Sequence, residues 1–258
     1  MVAVRVTSPL KERVIRGHGT PEGAWRPWLQ QQQFSRPALL TLMAEAERLV
    51  VVAPHPDDEV LASGGLLAMQ AERGGQVLVV GVTDGEQSHA EVPGIDAGAM
   101  AAQRALERLE GARRLGLSTA NVVPLRLPDA ALGAHAHRLA MRLELLLAPS
   151  DLVVSTWRLD GHPDHDASGL AAARACASVG CRHMEAPVWM WHWASPGDPR
   201  VPWHRMVAVP LSAQAQATKR SALAAHVSQL NPRSRQIGPV LGDEICARAE
   251  RPHEYFLA

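Results

Sequence analysis

The run Leu49-Val50-Val51-Val52-Ala53, followed at once by Pro54-His55-Pro56-Asp57-Asp58-Glu59, decides how the rest of the chain is read. Its five apolar, mostly β-branched residues do not alternate with polar ones, so a strand here is buried on both faces, as in a parallel sheet. Working outward, residues 76–82 (QVLVVGV), 121–125 (NVVPL) and 151–155 (DLVVS) have the same character. Between them lie segments of helical spacing at about 59–73, 97–115, 134–148 and 165–179. Gly74-Gly75 and Gly116 stand where helix C-caps belong. This alternation predicts an α/β fold: a doubly wound, mostly parallel sheet with helices on both faces and right-handed crossovers. Two more strands are expected near 186–193 and 204–210, then a helix from about 212 to 229.

Residues 1–48 read differently. They contain Pro21, Gly23, Pro27, Pro37, the run Gln30 to Gln33 and the pair Trp25 and Trp28. An irregular N-terminal extension packed on the main domain is expected, ending in a short helix from about 37 to 48. Residues 49–258 are expected to form that main domain.

Composition narrows the function classes. The chain has 258 residues, 47% hydrophobic, with 26 basic and 26 acidic side chains. A formal net charge of zero argues against a nucleic-acid footprint or an anionic-membrane surface. Cys176, Cys181 and Cys246 are scattered, without CxxC spacing, and make neither a disulfide framework nor a cysteine zinc site. The opening MVAVRVTSPLKERV has no apolar core of a signal peptide, and no apolar run approaches the ~18 residues of a membrane span. The expectation is a soluble cytoplasmic protein with no membrane insertion. Assembly into a homo-oligomer stays open.

In open α/β sheets, ligands bind beyond the carboxyl ends of the strands, where strand order reverses. The first strand is followed by His55 to Glu59, and the fourth by Trp157-Arg158-Leu159-Asp160-Gly161-His162-Pro163-Asp164-His165. Two imidazole-and-carboxylate clusters at one sheet edge, without cysteine, suit a catalytic zinc site that keeps a position open for water. Zinc in such a site lowers the pKa of water to about 7, and an extra carboxylate beside a ligand can take the proton. Adjacent aspartates then divide the work, one on the metal and one facing the water. Acidic residues after a strand also suit the positive end of the next helix, and HPDH also suits a turn and N-cap. The pairing of both motifs at strand ends favours the metal reading. No GxGxxG fingerprint accompanies the fold, which argues against dinucleotide binding.

The stretch APHPDDE (53–59) together with HPDH (162–165) resembles the zinc-dependent N-acetylglucosaminyl deacetylases related to PIG-L and LmbE, whose fold is Rossmann-like. The resemblance extends over most of residues 49–256. It takes in Thr83-Asp84-Gly85-Glu86, Arg104 with Glu107, Leu115-Gly116, Leu127-Pro128-Asp129, Lys219 through His226 and Gln229, and Glu254-Tyr255-Phe256. The first 48 residues lie outside it.

This resemblance implies a metal-dependent amidohydrolase that removes an N-acetyl group from an amino sugar, giving free amine and acetate. Its implied cofactor is Zn2+ or another divalent metal, and its partner a small-molecule amino sugar or glycoconjugate. His55, Asp58 and His165 would be the metal ligands and Asp57 the general base. His162 would stabilise the oxyanion or protonate the leaving amine, with Asp164 orienting its ring. Arg104 and Asp129 match positions that contact the sugar, and Asp84 and Glu86 are candidates for the same pocket. Some family members have a tyrosine two residues before HPDH; Asp160 stands there instead, expected to bind a substrate hydroxyl or brace the loop. Trp157 is expected as a pocket wall, whereas Trp189, Trp191 and Trp193, alternating as on one strand face, are expected mostly in the core. His226 either backs the site or is simply buried in a helix. Two other readings share these motifs: a de-N-acylase acting on a longer acyl chain or a non-sugar amide, and a non-catalytic module that binds sugar or metal.

Overall fold

The computed structural model describes residues 13–258. Seven strands form one sheet: β1 (Arg48–Ala53), β2 (Gln76–Gly81), β3 (Val122–Pro124), β4 (Asp151–Thr156), β5 (Arg182–Ala186), β6 (Met206–Pro210) and β7 (His253–Leu257). Their order is β3-β2-β1-β4-β5-β7-β6, with β1 to β5 parallel and β7 antiparallel to both of its neighbours. The chain winds outward from β1 through β2 to β3, then returns to lay β4 on the other side of β1. Strand order therefore reverses between β1 and β4, and the loops leaving those two strands flank the crevice where α/β sheets bind ligands.

The helices are α1 (Glu22–Gln31), α2 (Leu39–Leu42), α3 (Asp58–Glu72), α4 (Ala97–Arg114), α5 (Leu132–Glu144), α6 (Pro163–Val179), α7 (Met190–Trp193), α8 (Ala213–Leu223), α9 (Val227–Leu230) and α10 (Asp243–Ala249). The unbroken apolar runs of the strands have the expected cause. Leu49 and Val51 face a core with Leu66, Leu67, Leu115 and Leu223, while Val50 and Val52 face another with Leu139, Leu143, Ala171 and Ala175. Successive side chains point to opposite faces, so a strand covered on both must be apolar at every position.

Several expectations need correction. The strand placed near 186–193 ends at Ala186, and Trp189, Trp191 and Trp193 are not on a strand face. Pro187 follows β5, and the carboxylate of Asp160 then collects the backbone N–H groups of Val188, Trp189 and Met190 at 2.9 Å each. Donors gathered on one side chain are lost to a ladder, and the chain turns into α7 instead. The irregular lead-in holds a helix, α1, whose Trp25 and Leu29 are buried one turn apart despite Pro27 between them. Only Leu39–Leu42 of the helix expected at 37–48 is helical, and the helix expected at 212–229 breaks between Leu223 and Val227. The final strand β7 was not foreseen.

Helix α3 carries the first motif and is kinked at Ser63 (φ −144°). The backbone groups freed there are met by a buried ion pair: Lys219 Nζ donates to Leu61 O (3.0 Å) and lies 2.6 Å from Glu254 Oε1, while the two Glu254 oxygens accept from Gly65 N (2.7 Å) and Leu66 N (2.8 Å). Helix α8 and strand β7 thus clasp α3 from opposite sides of its break. Gly65 also lacks room for a side chain, since a Cβ there would lie 2.5 Å from Leu211. On α6, a Cβ at Gly169 would lie 2.5 Å from Thr156 O. That helix can therefore press its second turn against the end of β4.

Candidate metal centre and active site

Asp57 and Asp58 stand where β1 hands over to α3. Asp57 is the residue before the helix and adopts φ +122°, a region that a residue with a side chain rarely enters and that clusters at functional sites. His162 occupies the corresponding position before α6, with Pro163 opening the helix. His165 then lies one turn in, facing back toward β1.

The two loops meet. Asp58 Oδ2 lies 3.1 Å from both His55 Nδ1 and His165 Nε2, and the ligand atoms of these three residues all lie within 4.8 Å of one another. Ligands about 2.1 Å from a tetrahedral zinc are themselves roughly 3.4 Å apart, so this spacing suits a small divalent cation. Each imidazole is steadied from behind. Asp160 Oδ2 holds His165 Nδ1 at 2.8 Å, and Asp129 Oδ1 (3.1 Å) and Asp164 Oδ2 (3.3 Å) face His55 Nε2. Carboxylates on the far nitrogens of metal-binding histidines fix tautomer and ring direction. His165 Nε2 is buried and has no hydrogen-bond partner, which leaves that nitrogen aimed at the shared centre.

Charge points the same way. Asp57, Asp58, Asp160 and Asp164 are buried within one small region. Buried anions of one sign demand compensation. Burial lowers the pKa of His165, but Asp58 and Asp160 outweigh it and raise the value to about 9. His55 behaves alike, held well above its ordinary range by Asp129, Asp164 and Asp58 against the pull of burial. Burial raises Asp58, yet His165 and His55 keep it well below the usual carboxylate range. The donor set thus fits a divalent cation, which would replace these protons.

Asp57 sits beside this cluster. Burial pushes its carboxyl up to about 7, opposed by the Arg104 guanidinium 3.3 Å away. Arg104 is buried and also donates to Pro56 O (2.8 Å) and Gly85 O (2.9 Å). It lines the pocket, but most of its donors are committed to Asp57 and its loop. His162 is driven down to about 3, first by burial and then by His165 and His55, and stays neutral. Its Nδ1 accepts from Asp164 N at 3.3 Å, which leaves the proton on Nε2.

A cavity of about 280 Å3 covers these groups, with walls that include Arg104, Asp129, His162, Trp189, Gln229 and Arg233. His55, Asp57, Asp58, Arg104, Asp129, His162 and His165 all line it, as the sequence grouped them. Trp157, Trp189 and Asp164 are placed otherwise than expected, and Asp160 takes the second of its two expected roles. Trp157 is buried in the aromatic core with Trp25 and Trp191, stacked on Trp193 at 6.3 Å, and not in the pocket wall. Trp189 takes that place, its indole nearly parallel to the His162 ring (6.4 Å, 21°). Asp160 is wholly enclosed, with both oxygens engaged by His165 and the 188–190 turn, so it braces the loop and offers nothing to a substrate hydroxyl. Asp164 does not orient His162 through its carboxylate, which accepts from Ala130 N (2.8 Å) and Leu132 N (3.0 Å) and faces His55.

Asp84 and Glu86, candidates for the same pocket, are not among its walls: Asp84 lies 3.7 Å from Arg108 and from Arg126, and Glu86 Oε1 accepts from Asp129 N at 2.8 Å. His226 is fully buried behind the site, 4.0 Å from Glu59. Gln229 and Arg233 were missed as wall residues. Glu107 brings Gln229 in, since its oxygens take Ser228 N (2.9 Å) and Ser228 Oγ (2.6 Å). No periodicity in residues 230–240 marks Arg233 in advance.

Comparisons with known proteins agree with this geometry. Residues 50–176 match the PIG-L family, described as GlcNAc-PI de-N-acetylase. A 1D-myo-inositol 2-acetamido-2-deoxy-alpha-D-glucopyranoside deacetylase of Mycobacterium leprae (strain Br4923) is 39% identical over 82 residues, which are 30% of this chain and 27% of that protein. The chain thus spans about a quarter of the length of that relative. Among solved structures, a conserved protein of Thermus thermophilus superposes with a TM-score of 0.55 at 27% identity, covering 78% of this chain and 84% of that one. A deacetylase of the teicoplanin biosynthesis pathway shares the fold at a TM-score of 0.63 and 18% identity, covering 81% and 96% respectively.

Proposed function

The chain carries a PIG-L family domain across residues 50–176, and from that premise we propose that it is a zinc-dependent hydrolase removing the N-acetyl group from an amino sugar. The observation that carries this reading is the convergence of His55, Asp58 and His165 with Asp57 beside them on one cavity wall. His55, Asp58 and His165 would hold the metal, which supplies a Lewis acid that polarises the amide carbonyl and makes water acidic. The Asp57 carboxylate takes the proton from the attacking water, and its elevated pKa suits a base working near neutrality. The neutral His162 presents its Nε2–H to the oxygen on which charge develops, as an oxyanion donor must. Asp129 and Arg104 face the same cavity, positioned for hydroxyl and ring oxygens of the sugar. The partner is accordingly a small amino sugar or glycoconjugate.

Among the described residues no helix is long and apolar enough to cross a membrane. All three cysteines are free, which supports placement in a reducing, cytoplasmic setting.

Acetate release from N-acetylglucosamine glycosides by the purified protein tests the reading. Activity should vanish with a chelator and return with zinc, and Asp57→Asn should keep stoichiometric metal while losing turnover by about 100-fold or more. Full activity of that variant, or turnover unaffected by metal removal, overturns it.

A further inference from the structure

A cavity of about 480 Å3 is walled by α1, β6 and β7, and it shares no wall residue with the one over the metal cluster. Its walls come from residues 22–36, from Ala208 and from residues 250–255, all outside the family match. We infer that this cavity is a second binding site, separate from the proposed amide chemistry, and that it takes an aromatic carboxylate: a flat apolar ring system bearing one negative group.

Local sequence builds the walls. Ser35 bridges Val207 in parallel and its carbonyl accepts from Ala208 N (2.8 Å), which stitches the lead-in to the edge strand β6. Pro37 favours extended backbone at the residue before it, and Phe34 and Arg36, on either side of Ser35, both reach the cavity. On β7, Glu254 and Phe256 face α3 and the core, so His253 and Tyr255 take the opposite face and line the cavity. A buried pair joins α1 to the start of β7: Arg251 Nε donates to Glu22 Oε1 (3.0 Å) and Nη2 to Oε2 (2.6 Å). The Arg251 guanidinium also lies 4.2 Å from the Trp191 ring centre and 5.6 Å from that of Tyr255.

Wall chemistry selects the occupant. The volume falls within the roughly 300–1,000 Å3 of sites that enclose a small molecule. Arg26, Arg36 and Arg251 stand against Glu22 and Glu250. Both oxygens of Glu22 are engaged by Arg251, and Arg26 lies 3.5 Å from one of them. Arg36 is exposed and, among the described residues, has neither an ion pair nor a hydrogen bond. Its charge reaches the walls: it adds to burial in lowering the His253 pKa, and with Arg251 it opposes the rise that burial imposes on Tyr255. A carboxylate between these groups meets a free guanidinium, the donor whose fork matches it. Phe34 and Tyr255, with ring centres 6.3 Å apart at 81°, offer face and edge to a further ring. A sugar or inorganic phosphate would leave those rings uncovered, and an amine would meet the surplus of arginine.

Calorimetry on the zinc-loaded full chain tests the inference with naphthylacetate, its neutral analogue naphthylethanol, its cationic analogue naphthylethylamine and the ringless octanoate. Each titration is run in excess acetate, which competes for the metal cluster but carries no ring. Naphthylacetate should bind about tenfold more tightly than any of the other three. Arg36→Glu changes an exposed side chain without partners, so it should erase the preference for the acid over the alcohol while the melting temperature holds. Absence of naphthylacetate binding, any of the three analogues binding as tightly, or a preference untouched by Arg36→Glu overturns the inference. So does an affinity that collapses when acetate replaces chloride at equal ionic strength, which would put the ligand on the metal instead.

Discussion

Asp160 Oδ2 lies 2.8 Å from His165 Nδ1, and the same carboxylate accepts the backbone N–H groups of residues 188–190. One side chain therefore sets both the direction of the His165 imidazole and the turn that presents Trp189 to the pocket. Asp160→Asn keeps the size but gives up charge and acceptor capacity. Zinc affinity should fall about 10- to 100-fold, read by competition with a chromogenic chelator. Unchanged affinity would detach Asp160 from the metal centre.

Arg104 governs the pH range of Asp57. As the proposed base, Asp57 would work as the carboxylate; its pKa is raised by burial and pulled back by the guanidinium 3.3 Å away. Arg104→Gln removes that pull, so the Asp57 pKa rises further and the base ionises only at higher pH. The acidic limb of kcat/KM against pH should move up by about one pH unit or more, with activity lost first on the acid side. A limb that stays in place would show that another group sets it.

Trp157 and Trp189 should separate stability from recognition. Trp157→Ala empties a site in the aromatic core and should cost about 3–5 kcal/mol in denaturant unfolding. Trp189→Ala should lower kcat/KM on a glycoside by roughly 3- to 10-fold with little change in stability. The reverse pattern would restore Trp157 to the pocket.

Lys219→Met leaves Glu254 buried without its cation, and the kink of α3 without its donor to Leu61 O. A loss of about 3–5 kcal/mol is expected, with partial recovery in Lys219→Met/Glu254→Gln, where no lone charge is buried. Equal damage in single and double variants would show that packing, and not charge pairing, matters at the kink.

The parallel half of the sheet was legible because burial on both faces leaves a mark that needs no partner: residues 49–53 are apolar throughout, and 152–154 repeat the pattern. The grouping of His55, Asp58 and His165 was legible because the three residues occupy two short motifs, each just beyond such a strand. Trp157 and Trp189 were not told apart, since an indole in a loop looks the same whether its face meets another indole or an open cavity. The strand misplaced over 187–193 failed for a related reason: Asp160, far away in sequence, takes up the N–H groups a ladder would use. Helix α1 was hidden by Pro21, Gly23 and Pro27, and its burial comes from tertiary contacts such as Trp25 Nε1 to Trp191 O (2.9 Å). Arg233 gave no local signal at all.

The bond from Gly65 to Glu254 spans 189 positions of chain. During synthesis the ribosome must have made residue 254 before the helix that carries Asp58 gains its last brace. Earlier nascent forms hold both motifs in full yet lack the clamp that sets them, so the arrangement of the cluster is expected to be completed only once residue 254 has emerged. Lesions in β7 should consequently disturb the His55–Asp58–His165 cluster, which they never touch.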